Sequence, residues 1–403
     1  MPQCPARSLR AVLRSRLGSV LVLAVATSAA LAPATAGAAT GPAQDRTLQD
    51  QIDRFVSEPG GPPGVIALLR DGRRTRVFRA GVADLATGRQ PQPTDHMRIA
   101  STAKAFSGAV ALSLVDRGAL GLDDTLRQRL PQLPAAWGQV TLRQLLNHTS
   151  GLPDYSQDPE FAATVRADPR HHFDSRHLLD YVADEPLRFR PGSRYGYSNS
   201  DNIAVALMAE AVTGAPYEQL LRRLVYRPLG LRDTSLPQGY RLPEPYLHGY
   251  DMSDPAAPQD VSELLSASGA WASGGIVSTP ADLTRFIRGY ASGALYGKNV
   301  VREQRRWIQG ASEPAGPGRN TAGLAIFRYE TRCGVVLGHT GNFPGYTQLM
   351  AATPDGKRSL TFSITTQISA TSDPARLQRL RTIQENFVCA LLRDGRADDG
   401  RAL

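Results

Sequence analysis

"AGLAIFRYETRCGVVLGHTGNFPGYTQLMAATPDGKRSLTFSITTQ", residues 322–367, is where the fold is read. Short runs rich in β-branched and aromatic residues follow one another, and Pro354-Asp355-Gly356 makes a turn between the last two. The pattern predicts strands at AGLAIFRYE (322–330), CGVVLGHTG (333–341), GYTQLMAATP (345–354) and RSLTFSITTQ (358–367). A helix over 376–392 follows, apolar at Leu377, Leu380, Ile383, Phe387 and Leu391. At the other end, LQDQIDRFVSE (48–58) has helical spacing, and residues 65–72 and 74–85 read as a hairpin around Asp71-Gly72. Between these ends the periodicity is helical over 102–115, 142–146, 202–212 and 217–226. One more helix opens at Ser278 or Thr279, with Pro280 in its first position. The expectation is an α+β fold. An antiparallel β-sheet flanked by helices is built from both chain ends, with a mostly helical region inserted over roughly 96–285.

The chain has 403 residues, 41% of them hydrophobic and 21% charged, a composition that can form a sizeable core. Its net charge is +9, but Arg7, Arg10, Arg14 and Arg16 supply four of those charges. No basic cluster with interleaved aromatics follows, so nucleic-acid binding is not expected. After the arginines comes LGSVLVLAVATSAALAPATAGAA (17–39), uncharged and ending in small residues. A basic start, a short apolar run and Ala36-x-Ala38 describe a secretory signal peptide over 1–38, with 39–46 as a linker. Secretion is therefore expected. Removing the signal removes Cys4 and leaves Cys333 and Cys389, which in an exported chain are expected to form a disulfide.

Ser101 and Lys104 stand three residues apart at the start of the 102–115 helix, so they share one face. Ser and Lys at this spacing are common as a cap and a surface charge. Here lysine is scarce: Lys104, Lys298 and Lys357 are the only ones in the chain. A lysine, unlike an arginine, can be neutralised and act as a base on a serine hydroxyl. Tyr197-Ser198-Asn199 lies in a Pro/Gly/Ser-rich loop, where Tyr197 can relay a proton and Asn199 can hold a substrate amide. A Lys104 cation beside Tyr197 would favour its phenolate. His339-Thr340-Gly341 ends a predicted strand, where His339 and Thr340 would present donors and Gly341 would admit a ligand close to the backbone.

Ser-x-x-Lys, Tyr-x-Asn and His-Thr-Gly, in that order, resemble the penicillin-recognising serine hydrolases of the serine β-lactamase-like superfamily. The set is most similar to secreted actinomycete D-alanyl-D-alanine carboxypeptidases and class C β-lactamases. GVADLATGR (81–89), LLNHTSGLPDY (145–155) and GGIVSTPADLTRF (274–286) extend the resemblance over roughly 45–392. It implies a catalytic domain over 47–403 with Ser101 as the acylated nucleophile and Lys104 and Tyr197 sharing acid/base work. It also implies an oxyanion hole from the backbone N–H groups of Ser101 and Asn342. Asn199, His339, Thr340, Gly341 and Asn342 would hold substrate, Trp271 and Phe161 would line the cleft, and Cys333–Cys389 matches a disulfide of those carboxypeptidases. Two positions depart. Asn342 replaces a threonine, and Phe327 stands where a carboxylate-binding arginine is expected, with Arg328 on the opposite side of the strand.

The resulting expectation is a secreted serine hydrolase that forms an acyl-enzyme, foremost a D-alanyl-D-alanine carboxypeptidase acylated by β-lactams. Alternatives on the same scaffold are a β-lactamase, an esterase and a D-amino-acid amidase or peptidase. From another class, the alternative is an inactive penicillin-binding-like module. A monomer acting on a small peptide, β-lactam or ester, and associated with peptidoglycan, fits this reading. His148 reads as a structural loop residue, and His171, His172 and His177 lack a carboxylate or cysteine pattern, so no metal and no cofactor are expected.

Overall fold

Eight antiparallel strands form the central sheet of the computed structural model, which describes residues 41–399; the signal peptide read at 1–38 lies outside them. In chain order the strands are β1 (Gly64–Asp71), β2 (Arg74–Gly81), β3 (Ile308–Gln309), β4 (Arg319–Ala322), β5 (Phe327–Thr331), β6 (Gly334–Phe343), β7 (Tyr346–Ala352) and β8 (Arg358–Ile364). Their order across the sheet is β2-β1-β8-β7-β6-β5-β4-β3. The two chain ends meet where β1 pairs β8, Val65 opposite Ile364. The sheet is thus built from both ends, as the strand runs near the two chain ends imply.

Both faces of the sheet are covered, which is why β1 is apolar at consecutive positions. Val65, Ala67 and Leu69 enter one core, and Ile66 and Leu68 enter the other. The first core is closed by α1 (Gly41–Ser57), through Leu48, Ile52 and Phe55, and by the C-terminal helix, through Leu380, Phe387 and Leu391. The second is closed by the helical region between β2 and β3. Its central helix, α2 (Ala103–Asp116), is buried at every position from Ala103 to Leu114, so it is a core helix and not an amphipathic surface one. Two further helices of that region bear on the argument below, α3 (Asn199–Thr213) and α4 (Pro280–Ser292). Thr279 caps α4 by accepting from Asp282 N, with Pro280 in the first turn. The C-terminal helix, α5 (Pro374–Asp399), is tied to the β5–β6 turn by the Cys333–Cys389 disulfide.

Three differences from the sequence reading have physical causes. The stretch read as a linker before residue 47 is already helical from Gly41, and Asp45 pairs with Arg76 on β2 at 2.5 Å. AGLAIFRYE is not one strand. It breaks at residues 323–326, where Ala325 has φ +54° and its N–H donates to Leu146 O at 2.7 Å. Leu324 and Ile326 thereby enter the helical core, while Phe327 and Tyr329 enter the other. The helical insertion extends past 285, because β3 begins only at Ile308.

Candidate active site

Ser101 lies in a 3-10 turn, Ala100–Thr102, that leads into α2. Neither this turn nor α2 is capped by a side-chain hydrogen bond, so Ser101 is not serving as a helix cap. Ala100 is held at φ +52°, a left-handed conformation that costs an alanine of order 1 kcal/mol. Gly341 of β6 packs against this turn. A Cβ there would meet Ile99 O at 2.6 Å and Ser101 N at 3.1 Å, so only glycine lets the strand run beside the nucleophile. That closeness brings the Ser101 amide next to the end of β6, where Asn342 follows.

Lys104 is 1% exposed. Its ammonium donates to Asn199 Oδ1 at 2.7 Å, Ser273 O at 2.9 Å and Ser101 Oγ at 3.1 Å. Burial lowers its pKa to about 7, against the opposing pull of Asp154, Glu313 and Asp201. It can therefore lose its proton at neutral pH and take one from Ser101. Asn199 opens α3 and is pinned on its other side. Its Nδ2 donates to Asp154 Oδ2 at 3.1 Å and Ser156 Oγ at 2.9 Å. Its first task is to orient Lys104.

Tyr197 turns the edge of the site. Lys104 Nζ sits 4.9 Å from the centre of its ring, over the face and not at the hydroxyl. The hydroxyl is buried without a hydrogen-bond partner among the described residues. Burial pushes its pKa well above the ordinary value; Ser101 is near enough to lower it, short of hydrogen-bond geometry. This corrects the expected phenolate. Tyr197 stays protonated, suited to passing a proton on, while Lys104 is the group poised to accept one.

A layer legible in the sequence only in part supports these groups. The His148 ring lies 4.5 Å from that of Tyr197, with its backbone at φ +57°. His148 Nδ1 is 2.7 Å from Asp201 Oδ2, and Ser150 donates to Asp201 Oδ1 at 2.5 Å. Burial lowers the His148 pKa to about 3 and raises that of Asp201, so the imidazole is neutral and is no general base. Among the described residues, four non-glycine residues have positive φ. Three of them frame the site: Ala100 before Ser101, His148 against Tyr197, and Trp271 in the turn that presents Ser273 O.

The remaining candidates divide. Phe161 lines a cavity of about 230 Å³ together with Ser101, Tyr155, Phe173, Asn199 and Asn342; no charged residue lines it. Trp271 does not line it. Its ring is fully buried and its Nε1 donates to Glu218 at 2.9 Å, which corrects the cleft-lining expectation. His339 is fully buried, its Nδ1 2.6 Å from Thr340 O and its Nε2 without a partner among the described residues. Burial lowers its pKa to about 3, so it brings no positive charge. The Thr340 hydroxyl donates to Pro314 O at 2.5 Å. The Asn342 side chain is held by Ile368 O and Thr347, and its residue follows Gly341, which packs against the turn. Phe327 packs edge-on against His339 at 5.0 Å, and Arg328 is ion-paired to Glu330. No cluster of metal-binding side chains occurs among the described residues.

The family model described as Beta-lactamase matches residues 52–385. The chain belongs to the beta-lactamase family. This beta-lactamase-family chain is a serine hydrolase. It is 31% identical over 262 residues to the D-alanyl-D-alanine-carboxypeptidase/endopeptidase AmpH of Escherichia coli K12, covering 62% of this chain and 64% of that protein. The match to such curated relatives therefore spans just under two thirds of their length. A D-stereospecific amidohydrolase from Streptomyces superposes with a TM-score of 0.71 at 29% identity, over 83% of this chain and 98% of the other. The D-amino acid amidase of Ochrobactrum anthropi SV3, solved with L-phenylalanine amide, gives 0.75 at 25% identity, over 86% and 99%.

Proposed function

We propose that this protein is an exported serine amidohydrolase that cleaves short D-amino-acid amides or peptides through an acyl-enzyme on Ser101. Neutral Lys104 takes the Ser101 proton as Oγ bonds to the substrate carbonyl carbon. The backbone N–H groups of Ser101 and Asn342 stabilise the oxyanion. Tyr197 passes a proton to the departing nitrogen, the C–N bond breaks, and water then releases the acid from Ser101.

The observation that carries this reading is Lys104, buried and held between Ser101, Asn199 and Ser273 with a pKa near neutrality. The uncharged, aromatic cavity beside Ser101 suits an apolar acyl group. A carboxypeptidase on D-alanyl-D-alanine ends is the second reading, favoured by the similarity to AmpH. On either reading, residues 47–403 act as one catalytic domain after a cleaved leader, as a monomer at the peptidoglycan.

The test is incubation of the mature protein with a fluorescent penicillin, location of the adduct by peptide mass spectrometry, and assay of D-amino-acid amides, acyl-D-Ala-D-Ala and a simple ester. An adduct on Ser101 with amide turnover is expected. No adduct and no turnover would sink the enzyme reading. Turnover of the ester alone would replace it with an esterase.

A further inference from the structure

A second cavity, of about 990 Å³, has Tyr195, two residues from Tyr197, in its wall. Tyr195, Thr149, Glu313, Arg143 and Arg194 are among its lining. Tyr195 and Tyr197 both pack on the His148 ring, at 6.0 and 4.5 Å, so one imidazole links the cavity wall to the proton-passing tyrosine. The smaller cavity holds Ser101 and Asn199 and is the place for the acyl half of a substrate. A scissile bond has two halves, and the second cavity is placed to take the leaving one.

Glu313 is held in the wall of this groove by its neighbours. Ser312 Oγ meets the Tyr329 hydroxyl at 3.0 Å, and Pro314 O accepts from the Thr340 hydroxyl at 2.5 Å. The Glu313 side chain is exposed, with no ion pair or hydrogen bond among the described residues. Its charge nevertheless reaches Lys104, Tyr195 and Tyr197. The cations nearby are differently placed. Arg143 is engaged by Glu303 at 2.7 Å and Asp123 at 3.2 Å. Arg194 is exposed, with its guanidinium over the Phe189 ring at 4.5 Å. Arg328 on β5 is held by Glu330.

The geometry points to Glu313 as the residue that sets leaving-group specificity: its carboxylate disfavours a leaving group that ends in a free carboxylate and favours a neutral or cationic one. A like charge across a few ångströms of partly solvated groove changes discrimination roughly tenfold. The inference rests on the acyl-enzyme reading above, and the experiment separates the two.

The matched substrates are acyl-D-Ala-D-Ala and its C-terminal amide, which differ only in the terminal charge. The readout is the ratio of their kcat/KM values, amide over acid, for the wild type, Glu313→Gln and Glu313→Ala. Any effect of Glu313 on Lys104 acts on both substrates and cancels in the ratio. Removing the carboxylate should lower the ratio roughly tenfold at low salt, and added salt should shrink the wild-type preference. Equal ratios in all three proteins, with both substrates turned over, would overturn the role of Glu313 and leave the hydrolase intact. Failure of the wild type on both substrates and on the penicillin would overturn the acyl-enzyme reading itself.

Discussion

Lys104 Nζ is closer to Asn199 Oδ1, at 2.7 Å, than to Ser101 Oγ, at 3.1 Å. A neutral acceptor in that place steadies the amine without trapping its proton. With a pKa of about 7, the reactive neutral form accumulates as pH rises, so acylation should climb through neutrality and then level off. Asn199→Asp would set an anion against the ammonium and hold the proton on. The rising limb should move up by about one pH unit or more, and the rate at pH 7 should fall roughly tenfold. The check is the pH profile of penicillin acylation; an unmoved limb would remove Asn199 from control of Lys104.

Tyr197→Phe separates chemistry from stability. The hydroxyl is buried and makes no hydrogen bond among the described residues, so its loss leaves none of them stranded. Thermal unfolding should change by less than about 1 kcal/mol, while loss of the proton relay should cost about 100-fold or more in turnover. A large drop in stability with turnover retained would reverse the assignment, making Tyr197 a packing residue.

Ser101, Lys104 and Tyr197 were legible because each stands out locally: a rare lysine three after a serine, and a tyrosine in a loop before a helix. The cores were legible for a similar reason, since the unbroken apolar run of β1 and the period of 3.6 in α1 and α5 follow from burial. Ser273 was not, because it contributes a backbone carbonyl that any residue carries. Asp201 reads as an ordinary acid in a helix first turn, and only the fold brings it 2.7 Å from His148, across 53 residues. Trp271 was expected in the cleft from the family resemblance alone, and the fold buries it against Glu218 instead. β3 and β4, with two and four residues, are too short to show a period.

The Cys333–Cys389 bond joins the β5–β6 turn to α5 across 56 residues of sequence. Closing a loop of that length restricts the unfolded chain by about 4 kcal/mol. Cys389→Ala should therefore lower the unfolding temperature markedly. The cysteines lie at the end of β6 away from Ser101, so the acylation rate of the folded fraction should hold. A loss of acylation without a loss of stability would mean that the bond aligns β6 for catalysis.

Gly341→Ala probes that alignment directly. The added methyl would meet Ile99 O at 2.6 Å and Ser101 N at 3.1 Å, and both are backbone atoms that cannot swing aside. Either β6 or the 3-10 turn must shift. The fold should survive at a cost of about 1–3 kcal/mol, the usual penalty of overpacking. Catalysis should suffer far more, because displacing one oxyanion donor costs about 100-fold to 1,000-fold in rate. Penicillin acylation rate and thermal unfolding, measured on the same variant, give the comparison. A stability loss with acylation unchanged would show that the turn yields without moving the Ser101 amide, and would remove Gly341 from the alignment of the oxyanion donors.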